Sequence, residues 1–229
     1  MCVVLVTGAN RGLGLEFVRQ YLNQNNDVIA CCRKPDEAVE LNKLKSEFPH
    51  QLEIFSLDMS LESSVDQLAL KLRQKECIDI LINNAGIYVR DGDFKTLNLN
   101  DVKKNFEVNT LGPMRVTKAL LPLLLKSQNP KMVVISSKMG SIADNTSGGA
   151  YSYRISKAAL NCFVGSFCID FPNIVSLALH PGWVQTDMGG AQGLINATES
   201  VSGLIEVITK SNLTQTGGFY AYDGRPIVW

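Results

Sequence analysis

Tyr153 and Lys157 stand four residues apart in Tyr153-Arg154-Ile155-Ser156-Lys157, within a stretch of helical periodicity. Residues at i and i+4 share one helix face, so the phenol and the ammonium project into the same space. A tyrosine ionises near pH ~10, and a neighbouring cation favours the phenolate. Such a phenol can exchange a proton with a substrate oxygen near neutral pH, as general acid–base work requires. The spacing therefore predicts a Tyr153 made unusually acidic by Lys157. Tyr151 has Ile155 four residues on and cannot play this part. Alone, such a pair is more often an exposed helix pair than a site. Its meaning depends on its company.

A second group is Thr7-Gly8-Ala9-Asn10-Arg11-Gly12-Leu13-Gly14, between an apolar strand-like run and an amphipathic helix. Glycines let the backbone turn tightly and approach a pyrophosphate, which amides at a helix N-terminus then hold. The spacing is G-x-x-x-G-x-G, one residue longer than the common G-x-G-x-x-G. An acid at the end of the second strand would favour NAD, and a basic residue the extra phosphate of NADP. Here Ile29-Ala30-Cys31-Cys32-Arg33-Lys34 holds no acid before Asp36. Arg11 supplies another cation beside Arg33, and a guanidinium fork suits phosphate. The cofactor this implies is NADP(H). The bland alternative leaves Arg33 a solvated strand-end residue.

Positioning these groups falls to a regular alternation. Val3–Val6, Asp27–Cys31, Leu52–Phe55, Ile78–Ile82, Met132–Ile135, Val175–Leu179 and Phe219–Tyr222 read as short buried strands. Helical periodicity lies between them, near 12–24, 36–47, 61–75, 100–126, 151–170 and 198–210. Each parallel crossover needs a helix-length connection. The expectation is an α/β Rossmann fold: one doubly wound, mostly parallel sheet of seven strands, helices on both faces, and a single domain over 1–229.

The 229 residues carry 22 basic and 22 acidic side chains, which gives no electrostatic reason to expect a nucleic acid partner. No apolar window reaches the length of a membrane span, and the first residues lack a secretory pattern. Cys2, Cys31, Cys32, Cys77, Cys162 and Cys168 lack C-x-x-C spacing and read as reduced thiols of a cytoplasmic protein. The sequons at Asn145, Asn196 and Asn212 then read as chance matches. His50 and His180 do not make a metal site, and none is expected.

Six features occur in one order along nearly the whole chain: the glycine turn, Asn83-Asn84-Ala85-Gly86, Asn109 in a long helix, Ser136-Ser137, the Tyr153/Lys157 pair and His180-Pro181-Gly182-Trp183-Val184-Gln185-Thr186-Asp187. In this the chain resembles the short-chain dehydrogenase/reductase family, and within it the sniffer-type carbonyl reductases and C-factor-like proteins. The resemblance implies reduction of a small ketone, aldehyde or quinone, with Tyr153 as general acid. It implies that Lys157 holds the nicotinamide ribose, that Ser137 hydrogen-bonds the substrate oxygen, and that Asn109 holds a water linking Lys157 to solvent. Asp58 would meet the adenine amino group. Gly8, Asn10, Gly12, Leu13, Gly14, Asn84, Gly86, Pro181, Val184 and Thr186 would line the cofactor.

The sixteen residues from Ser137 to Tyr153 are a few more than is usual in the family, with the extra length in Ala143–Gly149, a possible substrate wall. They leave Ser141 as a rival for the serine role, while Ser136 should point the other way. Asn83 is expected to pin the strand end through backbone hydrogen bonds. Trp183 and Trp229 read as packing residues; Met139, Tyr151 and Met188 as pocket lining or core. The Gly- and Ala-rich segment Gly189–Thr198 suggests a short lid over an open pocket. The resemblance also implies a homodimer or homotetramer pairing helices 100–126 and 151–170. A sensor that binds NADP(H) with incidental turnover remains the alternative.

Overall fold

The computed structural model describes residues 1–91 and 93–229. Seven strands form one sheet: β1 Val3–Thr7, β2 Asp27–Cys32, β3 Leu52–Ser56, β4 Ile80–Asn83, β5 Lys131–Ile135, β6 Val175–His180 and β7 Gly218–Ala221. Their order is β3-β2-β1-β4-β5-β6-β7, and every pair is parallel. The helices are α1 Gly12–Asn23, α2 Val39–Glu47, α3 Glu62–Leu72, α4 Leu99–Phe106, α5 Gly112–Leu124, α6 Tyr151–Asp170 and α7 Ala197–Lys210.

Alternation along each strand sends side chains to both faces, and both faces are covered. Val4, Val6, Ala30, Leu177 and Leu179 pack with Phe17 and Leu22 of α1 and Leu204 and Ile208 of α7. Leu5, Ile29, Leu81 and Ala178 pack on the other side with Leu68 of α3, Leu120 of α5 and Val164 of α6. Each such aliphatic side chain contributes about 1.5–3 kcal/mol on burial. Because β1 has β2 on one side and β4 on the other, the strand order reverses there. A crevice opens beyond the strand ends at such a switch point.

Two differences from the sequence expectations have local causes. The single helix expected over 100–126 is split by a π-helical segment, Glu107–Leu111, a wide turn that inserts an extra residue. Gly112 and Pro113 open α5 behind it, and a Cβ at Gly112 would lie 3.0 Å from the Met59 Cβ, so glycine permits the close approach. The helix expected from 36 begins only at Val39, after a 3₁₀ turn Pro35–Glu37. Beyond β7 the chain folds back antiparallel, with Ile227 N donating to Phe219 O at 2.8 Å and Pro226 facing Tyr220. This return covers the sheet edge.

The cysteines are free thiols. The three sequon asparagines have structural work. Asn196 accepts from Glu199 N to cap α7, Asn212 caps the 213–215 turn, and Asn145 accepts from Gly148 N. Among the described residues no helix is long and apolar enough to cross a membrane.

Candidate functional site

A cleft of about 910 Å³ lies beyond the C-terminal ends of the central strands. Arg33 and Asp58 line one end and Tyr153 and Lys157 the other, with the glycine turn between.

Gly8 and Gly12 have φ of +67° and +55°, where a side chain is strained. A Cβ on Gly8 would also lie 2.9 Å from Ala85 Cα, and one on Gly14 2.1 Å from the Gly8 carbonyl oxygen. Asn84 fixes the turn, its Nδ2 donating to the carbonyls of Thr7 at 2.9 Å and Gly8 at 3.3 Å. The Thr7 hydroxyl accepts from the Asn84 and Ala85 amides, each at 3.1 Å. The pinning expected of Asn83 thus belongs to Asn84. Asn83 lies on the other side of the strand end and donates instead to Thr117 Oγ1 at 3.1 Å.

Arg11 is the residue before α1, and no side chain of the described residues caps that helix. Its first-turn amides are therefore available to an anion. The Arg11 guanidinium meets Asp187 at 2.8 Å across the cleft mouth, both side chains being exposed. Asn10, Leu13, Cys32, Arg33 and Lys34 also line this end, with Lys34 paired to Glu37 at 2.8 Å. Asp58 accepts from the Ser60 amide and hydroxyl, and the Ser60 hydrogen bond, aided by Arg33, holds its carboxyl below the usual range.

At the opposite end Ser137 follows β5, and Tyr153 and Lys157 project from the first turns of α6. The Tyr153 ring lies 4.9 Å from that of Tyr88, tilted by 54°. Lys157 Nζ stands 5.7 Å from the Tyr153 ring centre and donates to the Ile135 carbonyl at 2.7 Å. The expected acidic phenol is not what the geometry produces. Burial pushes Tyr153 up to about 12, Ser137 within hydrogen-bonding reach pulls it partly back, and Tyr88 adds to the rise. Lys157 is itself desolvated, which brings it down to about 8, and one of its three N–H groups donates to the Ile135 carbonyl. Sharing a helix face brought the two groups together; burial decided the sign.

Ser137 is the serine beside the phenol. Its rival Ser141 is buried and accepts from the Asp144 amide at 3.0 Å. Ser136 also lines the cleft, but its hydroxyl is committed to Asn161 Oδ1, to which it donates at 2.5 Å. Asn109 sits in the π-helical segment, fully buried, and its amide is spent on protein. Its Oδ1 accepts from Ile87 N at 2.8 Å, while Nδ2 donates to Ile87 O at 2.9 Å and Ser156 Oγ at 3.0 Å. Through these bonds the side chain clamps the chain after β4 to α6. A Cβ at Gly86 would lie 3.1 Å from Asn109 Oδ1 and 3.6 Å from Lys157 Nζ, so glycine lets these groups converge.

Pro181, Thr186 and Met188 line the cleft. Val184 does not; it is buried and bridges to Ile195. The segment Gly189–Thr198, expected as a short lid, folds back on the chain before it, with Leu194 N donating to Trp183 O at 2.7 Å and Gln185 N to Ile195 O at 2.9 Å. Trp183 stays half exposed, its indole N–H held by Gly189 O, so it is not the packing residue expected. Trp229 does pack, stacked on Phe219 at 5.2 Å. Tyr151 pairs with Phe94 and Met139 donates its amide to Ser137; neither lines the cleft.

Sequence reasoning missed Ile87, Tyr88 and Asp91. The Asp91 carboxylate accepts from the Ser152 amide at 2.7 Å and from its hydroxyl, capping α6 where Ala150 offers no side-chain cap. Nothing local signals a cap sixty-one residues away. His180, the last residue of β6, is pushed down to about 4 mainly by burial, its Nδ1 without a partner among the described residues. No group of three or more His, Cys, Asp or Glu among those residues could hold a metal.

A family model described as short chain dehydrogenase matches residues 2–195. The C-signal of Myxococcus xanthus is 44% identical over 154 residues, 66% of this chain and 93% of that protein. The 1-hydroxy-2-glutathionyl-2-methyl-3-butene dehydrogenase of Rhodococcus sp. (strain AD45) is 34% identical over the whole of both chains. The carbonyl reductase Sniffer of D. melanogaster superposes over both full chains with TM-score 0.95 at 34% identity. The NADPH-bound carbonyl reductase from chicken fatty liver does so with TM-score 0.93 at 36% identity. Family model, full-length relative and structural neighbours agree: the chain belongs to the short chain dehydrogenase family of oxidoreductases.

Proposed function

We propose that the protein is an NADPH-dependent reductase of small ketones, aldehydes or quinones, with Tyr153 as general acid. The observation that carries this is the half-buried Tyr153, with Ser137 beside its phenol and Lys157 Nζ 5.7 Å from its ring, in the cleft that the glycine turn also lines.

The cleft fits the cofactor by its own chemistry. The uncapped amides from Gly12 to Gly14 would take the pyrophosphate, and Arg11 and Arg33 the additional phosphate. Ionised Asp58 is an acceptor for an amino group. Gly8, Asn10, Leu13, Asn84, Gly86, Pro181 and Thr186 shape the walls, with Val184 behind them. NADPH, when bound, supplies an electron pair and one hydrogen to the carbonyl carbon. With a pKa near 12 the free phenol keeps its proton at neutral pH, the form required of a donor. Tyr153 gives that proton to the carbonyl oxygen as negative charge builds there. Ser137 donates a hydrogen bond to the same oxygen, a preorganised dipole. Positive charge on Lys157 stabilises the phenolate left behind.

The test is NADPH oxidation, followed by absorbance, against quinones, aromatic aldehydes and diketones. Turnover that Tyr153→Phe abolishes supports the reading. Likeness to the C-signal favours one other reading, a signalling protein that binds NADP(H); binding without turnover on any panel member would select it. The apolar exposure of Leu99, Met114 and Ile155 on α4, α5 and α6 supports a homodimer or homotetramer through these helices, measurable by light scattering. A cytoplasmic location accords with the unpaired thiols.

A further inference from the structure

Between Gly148 and Ala150 three consecutive residues have positive φ: +62°, +63° and +48°. Left-handed backbone is strained for an L-residue, and Ala150 bears that strain. A Cβ on Gly148 or Gly149 would meet nothing within 4 Å, so glycine is needed there for conformation alone. Something must hold so unusual a turn, and one side chain does.

Arg154 Nε donates to the carbonyls of Gly148 at 3.3 Å and Gly149 at 3.1 Å. Its Nη2 donates to Ser147 Oγ at 2.9 Å, and Nη1 to the Met139 carbonyl at 3.4 Å. Among the described residues no carboxylate pairs with this guanidinium, so the fork is spent on the chain it grips. Met139 lies two residues after Ser137, and Gly149 four before Tyr153. One guanidinium thus ties together both ends of the stretch between these two groups. Inside it, Ser141 Oγ accepts from Asp144 N, Lys138 pairs with Asp144 at 3.2 Å, and Ala143 N donates to the Trp229 carbonyl at 3.0 Å. Ile142 stands out, 80% exposed, as the wall's apolar side chain.

We propose that Arg154 is a specificity-positioning residue: it holds segment 139–149 as a rigid wall beside Tyr153, and the wall decides which bulky carbonyl compounds reach the phenol. This rests on the reductase reading given above. A planar fork reaches carbonyls on two sides of the segment at once, whereas a lysine ammonium offers one point of attachment. The role is one of position: neither Arg154 nor segment 139–149 lines the cleft itself, and the segment runs beside it between Ser136 and Tyr153, which do.

The experiment compares the native protein with Arg154→Met and Arg154→Lys on two probes, a small aliphatic diketone and a bulky aromatic ketone. NADPH affinity is read by fluorescence, and amide exchange is followed over 145–150. Arg154→Met should bring the ratio of kcat/KM between the probes about tenfold closer to one, mainly through KM. NADPH affinity and kcat on the small probe should stay within about twofold, exchange at 147–149 should quicken about tenfold, and Arg154→Lys should fall between. An unchanged ratio, or an equal fall of kcat on both probes, overturns the proposal. If the native protein binds NADPH but reduces neither probe nor any panel carbonyl, the reductase reading fails and the selectivity role with it. Unchanged exchange in Arg154→Met overturns the clamp alone.

Discussion

The two ends of the cleft rest on the same sheet but keep their charges in different surroundings. At the nucleotide end the main chain is fixed by Thr7 and Asn84, while Arg11 and Arg33 stay in water. At the reacting end Tyr153 is pushed up to about 12 and Lys157 down to about 8, both mainly by burial. Water screens the first set, which can attract an anion at little cost to the fold. The second set is desolvated and strains the fold to gain electrostatic leverage. Binding and chemistry should therefore respond to mutation separately, and the nucleotide end should be the more forgiving in stability.

The sharpest separation is Tyr153→Phe. Removing the phenolic oxygen takes away the proposed proton donor and should lower kcat about a thousandfold, within the range for general acid catalysis. NADPH binding, measured by fluorescence titration, should stay within about twofold, because nothing at the Arg33 end changes. A parallel loss of binding would show that the two ends are one unit.

How much of this could be read in the sequence follows the same division. The glycine turn, the parallel sheet and the Tyr153/Lys157 pairing rest on local pattern, and the structure has each of them. What escaped depends on tertiary contact. The break at Glu107–Leu111 lies in a segment whose periodicity reads as one helix, and it turns Asn109 to grip Ile87. Asn83 and Asn84 are neighbours of one residue type, and only the pleat decides which reaches the Gly8 carbonyl. The capping of Ser152 by Asp91 and the grip of Arg154 on Gly148 and Gly149 join loops whose composition is ordinary. Helical spacing brought Lys157 to Tyr153, yet spacing carries no information on burial.

The desolvated lysine gives the next largest effect. With its folded pKa near 8 and a reference of 10.5, the unfolded chain binds more protons between those values. Stability therefore rises with pH across that window and carries the full penalty below it. The shift corresponds to a few kcal/mol at most, and the lost hydrogen bond to Ile135 O offsets about 1 kcal/mol of it. Lys157→Met should thus be inactive yet about 2 kcal/mol more stable at pH 7, with the gain vanishing above about pH 10. Denaturant midpoints at the two pH values check this; a less stable variant at pH 7 would mean that Lys157 stabilises the fold it sits in.

At the exposed end, Arg33→Ala removes a charge without opening a cavity. NADPH affinity should weaken about tenfold to a hundredfold while NADH affinity stays unchanged, the signature of a lost phosphate contact. Thermal stability should not move. Arg11→Ala should cost less affinity, because Asp187 already competes for that guanidinium. Equal weakening toward both nucleotides would place Arg33 outside the phosphate's reach and blur the contrast between screened and buried charge.

The smallest effect tests whether strain at the reacting end lies in conformation or in crowding. Gly8 has both problems, a positive φ and Ala85 Cα 2.9 Å from where its Cβ would be. Gly148 has only the first, since the space around it is open. Gly148→Ala should then cost about 1 kcal/mol through the left-handed backbone alone. The variant should keep its NADPH affinity, because the turn it strains belongs to the proposed substrate wall and not to the glycine turn proposed to hold the pyrophosphate. Thermal unfolding gives the cost and fluorescence titration the affinity. A loss well beyond 1 kcal/mol would mean that Arg154 tolerates no relaxation of the turn, making the wall as rigidly built as the glycine turn across the cleft.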